Sequence, residues 1–320
     1  MTTTPADLSD LRPRRQIIDR LFKGSTLAAG ALILLILALI AYTITGKSLP
    51  VFRAEGVDFF TERRWAPTKE IYGALSFIYG TAVTALLAVV ISVPVSLGIA
   101  LFTTQVAPPK LKKWLVSLTD LVAVVPSVVF GLWGIIFLAP KLAGTYKHVS
   151  AWFDGWPILG HVFGRTGAGR TFMTAGLILA VMITPIITSI AREVIETTPQ
   201  TDRDGALALG ATRWEMITGA VLPHSMTGIV GAVMLGLGRA MGETIAVALV
   251  IGSSPTITAN LFSSGDSLPS VIAFQWGEAT TDIKRSALIA MGLTLFVITI
   301  VVNLTATAVV NRATKRVQGT

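Results

Sequence analysis

The sequence predicts an all-α, polytopic membrane protein with six transmembrane helices, and three observations carry that expectation. The chain of 320 residues is 52% hydrophobic and only 14% charged, with a mean hydropathy of +0.69, whereas a soluble domain is nearer ~25% charged. Its apolar residues gather into runs long enough to cross a bilayer core, which takes about 20 residues. Its basic residues stand between those runs instead of lining one face. The net charge of +8 therefore marks membrane flanks and argues against nucleic acid as a partner.

The spans follow in order. A cytoplasmic tail (1–24) precedes the first, at about 25–46. That tail is basic, as a signal peptide would be, but the apolar run from Thr26 to about Tyr42 exceeds a signal core and no small-residue cleavage site stands out. The second span, about 73–103, carries Pro94; the third, about 115–139, carries Pro126; the fourth, about 171–191, carries Pro185. Interior prolines are tolerated in membrane helices where neighbours satisfy the freed carbonyls, and they mark kinks. The fifth span covers about 226–252 and the sixth about 287–310, so that a transmembrane domain occupies 25–311 and a second tail 312–320. Five basic residues precede the first span (Arg12, Arg14, Arg15, Arg20, Lys23) and only Lys47 closely follows it, which places both termini in the cytoplasm. The outer loops are then 47–72, 140–170 and 253–286, with a short helix expected at Pro269–Glu278.

The loop between the fourth and fifth spans (198–223) is the most informative stretch. It reads Asp204-Gly205-Ala206, then Gly210 four positions after Ala206, and later Ala220-Val221-Leu222-Pro223. Small residues allow a partner surface to approach, and Gly210 suits a left-handed turn between two short helices, the second stopped near Pro223. An ordinary amphipathic cytoplasmic loop is the competing account. The pattern resembles the coupling motif of ABC importer permeases, Glu-Ala-Ala-x3-Gly-x9-Ile-x-Leu-Pro. It departs where Asp204 replaces Glu, Gly205 replaces the first Ala and Ala220 replaces Ile. The resemblance implies that this loop docks into a groove on an ATPase subunit.

Inside the fifth span lies Gly236-Leu237-Gly238-Arg239-Ala240-Met241-Gly242-Glu243-Thr244. A charge at the bilayer centre costs at least about 2.5–3.5 kcal/mol, so it faces a bundle interior or a wet pathway. A spacing of four puts Arg239 and Glu243 on one helix face. The planar fork of Arg239 suits an oxyanion, and Glu243 is its resting partner or an acceptor for a protonated oxyanion. The alternative is a structural ion pair that locks the bundle. Gly238 and Gly242, also four apart, are expected to let another helix pack closely.

Two further segments are Trp65-Ala66-Pro67 with Tyr72–Thr81, and the kinked, glycine-rich Pro126–Gly134. With the fifth-span motif, they make the chain similar to phosphate ABC importer permeases of the PstC type from about residue 60 to 311. The resemblance implies an ABC importer type I (MetI-like) fold and inorganic phosphate as substrate. It implies a homologous second permease (PstA type), two copies of an ATPase subunit (PstB type) and an extracytoplasmic phosphate-binding protein (PstS type). It also places the family's transport-critical Arg and Glu on Arg239 and Glu243.

The run Gly164–Thr171 nearly fits a P-loop, with Arg170 where Lys belongs, but it leads into a membrane span on the outer face, and a P-loop needs a preceding strand and nucleotide. ATP is therefore expected to be hydrolysed by another chain, and the chain is not expected to be an enzyme. There is no cysteine, which removes disulfides and thiolate chemistry. His148, His161 and His224 are not at ligand spacing, so no metal or cofactor is expected, and Asp120 carries no role. Sulfate or molybdate permeation, a carrier driven without ATP, and a membrane-embedded enzyme remain the alternatives. The last would want clustered carboxylates or histidines at the interface.

Overall fold

The computed structural model describes residues 11–165 and 169–317, with side chains from Asp19 to Ala308. Helix α1 (Leu11–Glu55) leads into a short turn of helix, α2 (Asp58–Thr61), and a two-residue hairpin pairing β1 (Trp65–Ala66) with β2 (Ile71–Tyr72) antiparallel. Then come α3 (Leu75–Leu101), α4 (Pro109–Val124), α5 (Ser127–Trp133), α6 (Ala139–Phe153) and α7 (Leu159–Val162). The chain continues through α8 (Phe172–Glu196), α9 (Gln200–Ala208), α10 (Arg213–Met216), α11 (Leu222–Gly242), α12 (Ile245–Val250), α13 (Leu268–Gln275) and α14 (Asp282–Val317). Among the described residues, six helical stretches are long and apolar enough to cross a membrane: Asp19–Glu55, Leu75–Val106, Ser127–Phe153, Phe172–Glu196, Arg213–Gly242 and Asp282–Ala308.

Three of these stretches contain one wider turn each, at Phe102–Val106, Gly134–Leu138 and Ile217–Val221. Such π-turns insert a residue into an α-helix without ending it. The last of them joins α10 to α11, so that one unbroken helix of 30 residues runs from Arg213 to Gly242. Sequence periodicity placed its start near residue 226; the helix instead begins inside the expected cytoplasmic loop. It also stops earlier, because the chain turns extended at Glu243 before α12 begins. The third expected span divides at Pro126, whose preceding residue Val125 is extended, as a residue before proline tends to be. Residues 109–124 form a separate helix, and the long apolar stretch lies at 127–153. The short helix expected at Pro269–Glu278 is α13, begun by a capping box in which Ser267 and Ser270 exchange backbone and side-chain bonds.

The core sits on α8. Ile178, Leu179, Ile183 and Ile187 are buried there at a spacing that faces them onto Ala85 and Ala88 of α3 and Ala232 of α11. Ser96 of α3 donates to the Thr184 carbonyl at 3.2 Å, tying the two helices beside Pro185, which lies inside the continuous α8. By contrast, Leu32 to Leu37 and Leu39 to Ile40 of α1 are all exposed, as befits a helix whose solvent is lipid. Its second half lies along α14, and there Val51 donates its N–H to Ser286 Oγ at 3.2 Å. At the opposite end from the termini, Tyr79 Oη donates to the Thr258 carbonyl at 2.6 Å, and Trp65 Nε1 to Gln275 Oε1 at 2.9 Å. The first bond fastens the long loop after α12 to the start of α3, and the second fastens the hairpin to the end of α13.

Candidate functional site

Two places bring the candidate residues together, one at each end of the helix Arg213–Gly242. At its beginning, α9 carries Asp204, Gly205 and Ala206, and Gln200 Nε2 donates to Asp204 Oδ1 at 3.0 Å. The helix closes with the Ala211 N–H on the Ala206 carbonyl (3.1 Å) and the Gly210 N–H on the Leu207 carbonyl (3.0 Å). That pair of bonds is a Schellman motif, which needs a left-handed residue after the cap. Gly210 supplies it, with φ +87°. Thr212 then starts α10 with a capping box: its N–H donates to Glu215 Oε2 at 2.7 Å, and its hydroxyl accepts from the Glu215 N–H at 3.3 Å. The result is a sharp helix–turn–helix with its break at Gly210, as the glycine leads one to expect, but the second helix does not stop near Pro223: it runs on to Gly242.

This hairpin is moored to the bundle from below. Ala206 and Leu222 pack against Ala100, Ala191, Ile195 and Ile229. Arg203 Nη2 donates to the Ile195 carbonyl at 2.8 Å, and nearby Lys112 pairs with Glu196 at 2.8 Å. Pro223 is exposed. On the outward side, Leu209 is 91% exposed and Trp214 66%, with Leu207 beside them. A leucine tip with a tryptophan on a polar loop is an apolar patch that a partner would cover. Sequence reasoning singled out the small residues here and missed these large ones, although their position beside Gly210 was there to read.

At the other end of the helix lies a cavity of about 750 Å³, lined by Ile186, Gly231, Met234, Leu235, Gly238, Arg239, Gly242, Glu243 and Asn303. Arg239 sits in the last turn of α11, where a cation complements the helix dipole. The expected pairing of Arg239 and Glu243 along one helix face is not what forms. Helix α11 ends at Gly242, and Glu243 has an extended backbone (φ −71°, ψ 125°). Its carboxylate is turned toward the start of α12, with Oε1 3.5 Å from the Ala246 N–H. Among the described residues, Arg239 and Glu243 are not within ion-pair distance, yet both face the same cavity.

The glycines also differ from expectation. No neighbouring atom lies within 4 Å of where a Cβ would sit on Gly242, and on Gly238 only Asn303 Nδ2 comes as near as 4.0 Å. Among the described residues, no helix packs closely on them. Both instead floor open space, including a second groove of about 370 Å³ shared with α1 and α14. The glycines that do take close packing are Gly228, against Val194, and Gly236, whose Cβ would stand 2.7 Å from Ile187 Cδ1. Asn303 went unremarked in the sequence, although it is a lone amide in the apolar run of α14.

Of the remaining residues, His148, His224 and Asp120 are exposed, and His161 is exposed with Nδ1 2.8 Å from the Pro157 carbonyl. In the P-loop-like run, Thr166, Gly167 and Ala168 lie outside the described residues. Of its described part, Gly169 abuts the Ala139 backbone, and the Arg170 carbonyl accepts from Ser264 Oγ at 3.0 Å.

Comparison with known proteins places this geometry. The family model of binding-protein-dependent transport system inner membrane components matches residues 92–315. The chain is 39% identical to the phosphate transport system permease protein PstC of Xylella fastidiosa, over 98% of this chain and 96% of that one. It is 41% identical to PstC 2 of Mycobacterium tuberculosis over 96% of each, and 38% identical to PstC of Mesorhizobium japonicum over 90% and 89%. Among solved structures, a bacterial alginate ABC transporter superposes with a TM-score of 0.60 at 15% identity, covering 94% of this chain and 97% of the other. The MetNI methionine ABC transporter gives 0.51 at 17%, covering 74% and 94%. At those identities the structural likeness concerns the fold, which is that of the MetI-like importer permeases.

Proposed function

The chain belongs to the binding-protein-dependent inner-membrane transport components and, among them, to the PstC-type phosphate permeases, and from that premise we propose how its two ends work together. It is a membrane permease subunit of an ABC importer carrying inorganic phosphate, and it forms half of the translocation path. A homologous permease of the PstA type completes the path. Two ATPase subunits of the PstB type hydrolyse ATP, and a phosphate-binding protein of the PstS type delivers the anion from outside. Both termini lie in the cytoplasm, and this chain hydrolyses no ATP itself.

The observation that carries the proposal is the single helix Arg213–Gly242. Its 30 residues span about 45 Å at ~1.5 Å per residue. One end follows the docking turn at Gly210; the other bears Arg239 at the cavity wall. A push on the hairpin Asp204–Pro223, received through Leu209 and Trp214, is therefore applied to a rigid rod whose far end holds the anion-binding cation. Arg239 offers charge-assisted hydrogen bonds to phosphate in passage, and the absence of a close Glu243 partner leaves that fork open to the anion. The contact must be weak enough to release its ion, as in any conduction path.

The test is radiolabelled phosphate uptake in a strain lacking its own high-affinity system, with this chain and its partner subunits co-expressed. Wild type is expected to restore uptake, and Arg239→Ala to reduce it to the level of the empty strain at equal membrane abundance. Uptake of sulfate or molybdate instead would leave the architecture and remove the substrate. Normal phosphate uptake by Arg239→Ala would remove the role of the arginine.

A further inference from the structure

We propose that Asn303 is a specificity-determining residue of the cavity, one that distinguishes a protonated tetrahedral oxyanion from a fully deprotonated one. The proposal rests on the phosphate reading of the same cavity and adds the group that recognises the proton.

Asn303 lies in α14, between Val302 and Leu304 in an otherwise apolar run. Its Oδ1 is buried and has no hydrogen-bond partner. An orphaned amide oxygen in a membrane helix is unfavourable, and such an atom calls for an explanation. The amide stands across from Gly238, which has no side chain to meet it: a Cβ there would be 4.0 Å from Nδ2. The glycine thus keeps the space in front of the amide clear.

The polar side chains of the cavity are three: Arg239, Glu243 and Asn303. Arg239 supplies donors only, Glu243 as a carboxylate supplies acceptors only, and an amide supplies both. The last torsion of an Asn side chain is broad, so either amide atom can be turned to the cavity. Sulfate at neutral pH carries no proton. It satisfies Arg239 and the amide N–H but has nothing to donate to the amide oxygen or to Glu243. Inorganic phosphate at neutral pH keeps at least one P–OH. It accepts from Arg239 and, once the amide turns Oδ1 toward the cavity, donates to that oxygen, giving it the partner it lacks. A site built to receive a hydroxyl proton rejects the analogue that lacks it, because its buried acceptor stays unpaired.

The chain has no cysteine of its own, so Met234→Cys places a single reporter thiol on the cavity wall. In the purified complex with partner permease and ATPases, but without binding protein, maleimide labelling is followed at pH 7 against inorganic phosphate, arsenate and sulfate. Phosphate and arsenate, both protonated, are expected to protect the thiol at concentrations at least 10-fold below sulfate. In Asn303→Leu and Asn303→Ala that ratio is expected to fall several-fold, to the part that Glu243 alone supplies, while Asn303→Gln retains most of it. A ratio unchanged in Asn303→Leu and Asn303→Ala overturns the proposal and leaves the cavity as the anion path. Failure of both variants to assemble with the ATPase also overturns it, in favour of a structural amide. If no anion protects wild type, or if Arg239→Ala changes nothing, the cavity is not the anion site and the proposal falls with it.

Discussion

Helix α11 carries two sets of glycines that look alike in sequence and do opposite things. Gly228 and Gly236 are crowded: a Cβ on the first would meet Val194, and on the second Ile187, so α8 rests directly on the α11 backbone. Gly231 and Gly242 have nothing within 4 Å, and Gly238 only the distant amide of Asn303. All three line the cavity with Arg239. On one side the missing side chain lets two helices touch; on the other it leaves room for an ion. A glycine spacing of four was read as packing, yet the pair with that spacing, Gly238 and Gly242, is the open one.

The largest effect expected from that contrast is on assembly. Gly236→Leu and Gly228→Leu force a large side chain into the α8 contact, where overpacking costs about 1–3 kcal/mol and more when backbones must separate. Gly231→Leu projects into open space and is expected to cost little stability while narrowing the cavity. The measurement is the fraction of each variant recovered as folded complex after mild heating, with phosphate uptake in parallel. The crowded pair should lose most of the complex; Gly231→Leu should keep the complex and lose uptake. Equal recovery of all three would erase the distinction between the two faces.

How much of this was legible beforehand follows from the same physics. Six apolar stretches, the turn at Gly210 and the unusual place of Arg239 are readable, because hydropathy, a left-handed cap and a charge in an apolar run are local signals. Helix limits were not. The stretch 213–225 is polar enough to read as loop, but the capping box of Thr212 with Glu215 and packing of Met216, Ile217 and Val221 on the ends of α3 and α8 hold it helical. The break after Gly242 was hidden for the converse reason: the sequence stays apolar into Ile245–Val250, and only the tertiary placement of α12 against Gly131 of α5 shows why the chain turns there. Asn303 is a local signal easily overlooked, since the cavity residues Gly238 and Arg239 that share its pocket lie more than 60 positions away in sequence.

Gly210 adds a third kind of glycine, needed for the sign of its φ and not for space, since nothing lies within 4 Å of it. Gly210→Val is expected to strain the turn by about 1–3 kcal/mol and to lower phosphate uptake and ATPase co-purification several-fold, with the chain still present in the membrane. Gly210→Asn, which tolerates the left-handed region better, is expected to retain more of both. If Val and Asn behave alike, the turn's handedness is not what the docking surface requires.

The smallest expected effect tests whether a crowded glycine keeps its surroundings dry. Gly80 of α3 lies against the backbone carbonyl of Asp266, in the loop between α12 and α13. Asp266 is 6% exposed, and its carboxylate accepts the Ser267 N–H at 2.8 Å and the Ser270 hydroxyl. Burial raises its pKa above the ordinary aspartate range, and the bonds from Ser270 and Ser267 draw it partly back. A carboxyl whose folded pKa is raised holds its proton more tightly when folded. Its contribution to stability is thus full below the unfolded pKa and is lost as pH rises through the folded value, by up to about 1.4 kcal/mol per pH unit inside that window. Other carboxylates titrate in the same range, so the quantity to follow is the difference in melting temperature between wild type and Asp266→Asn. That difference should move against wild type as pH is raised upward from about 4. Gly80→Ala pushes the loop off α3, admits water to the carboxyl and should flatten the trend. A difference that does not change with pH would mean that Asp266 is hydrated. A trend that survives Gly80→Ala would mean that the close contact at Gly80 is not what keeps it dry.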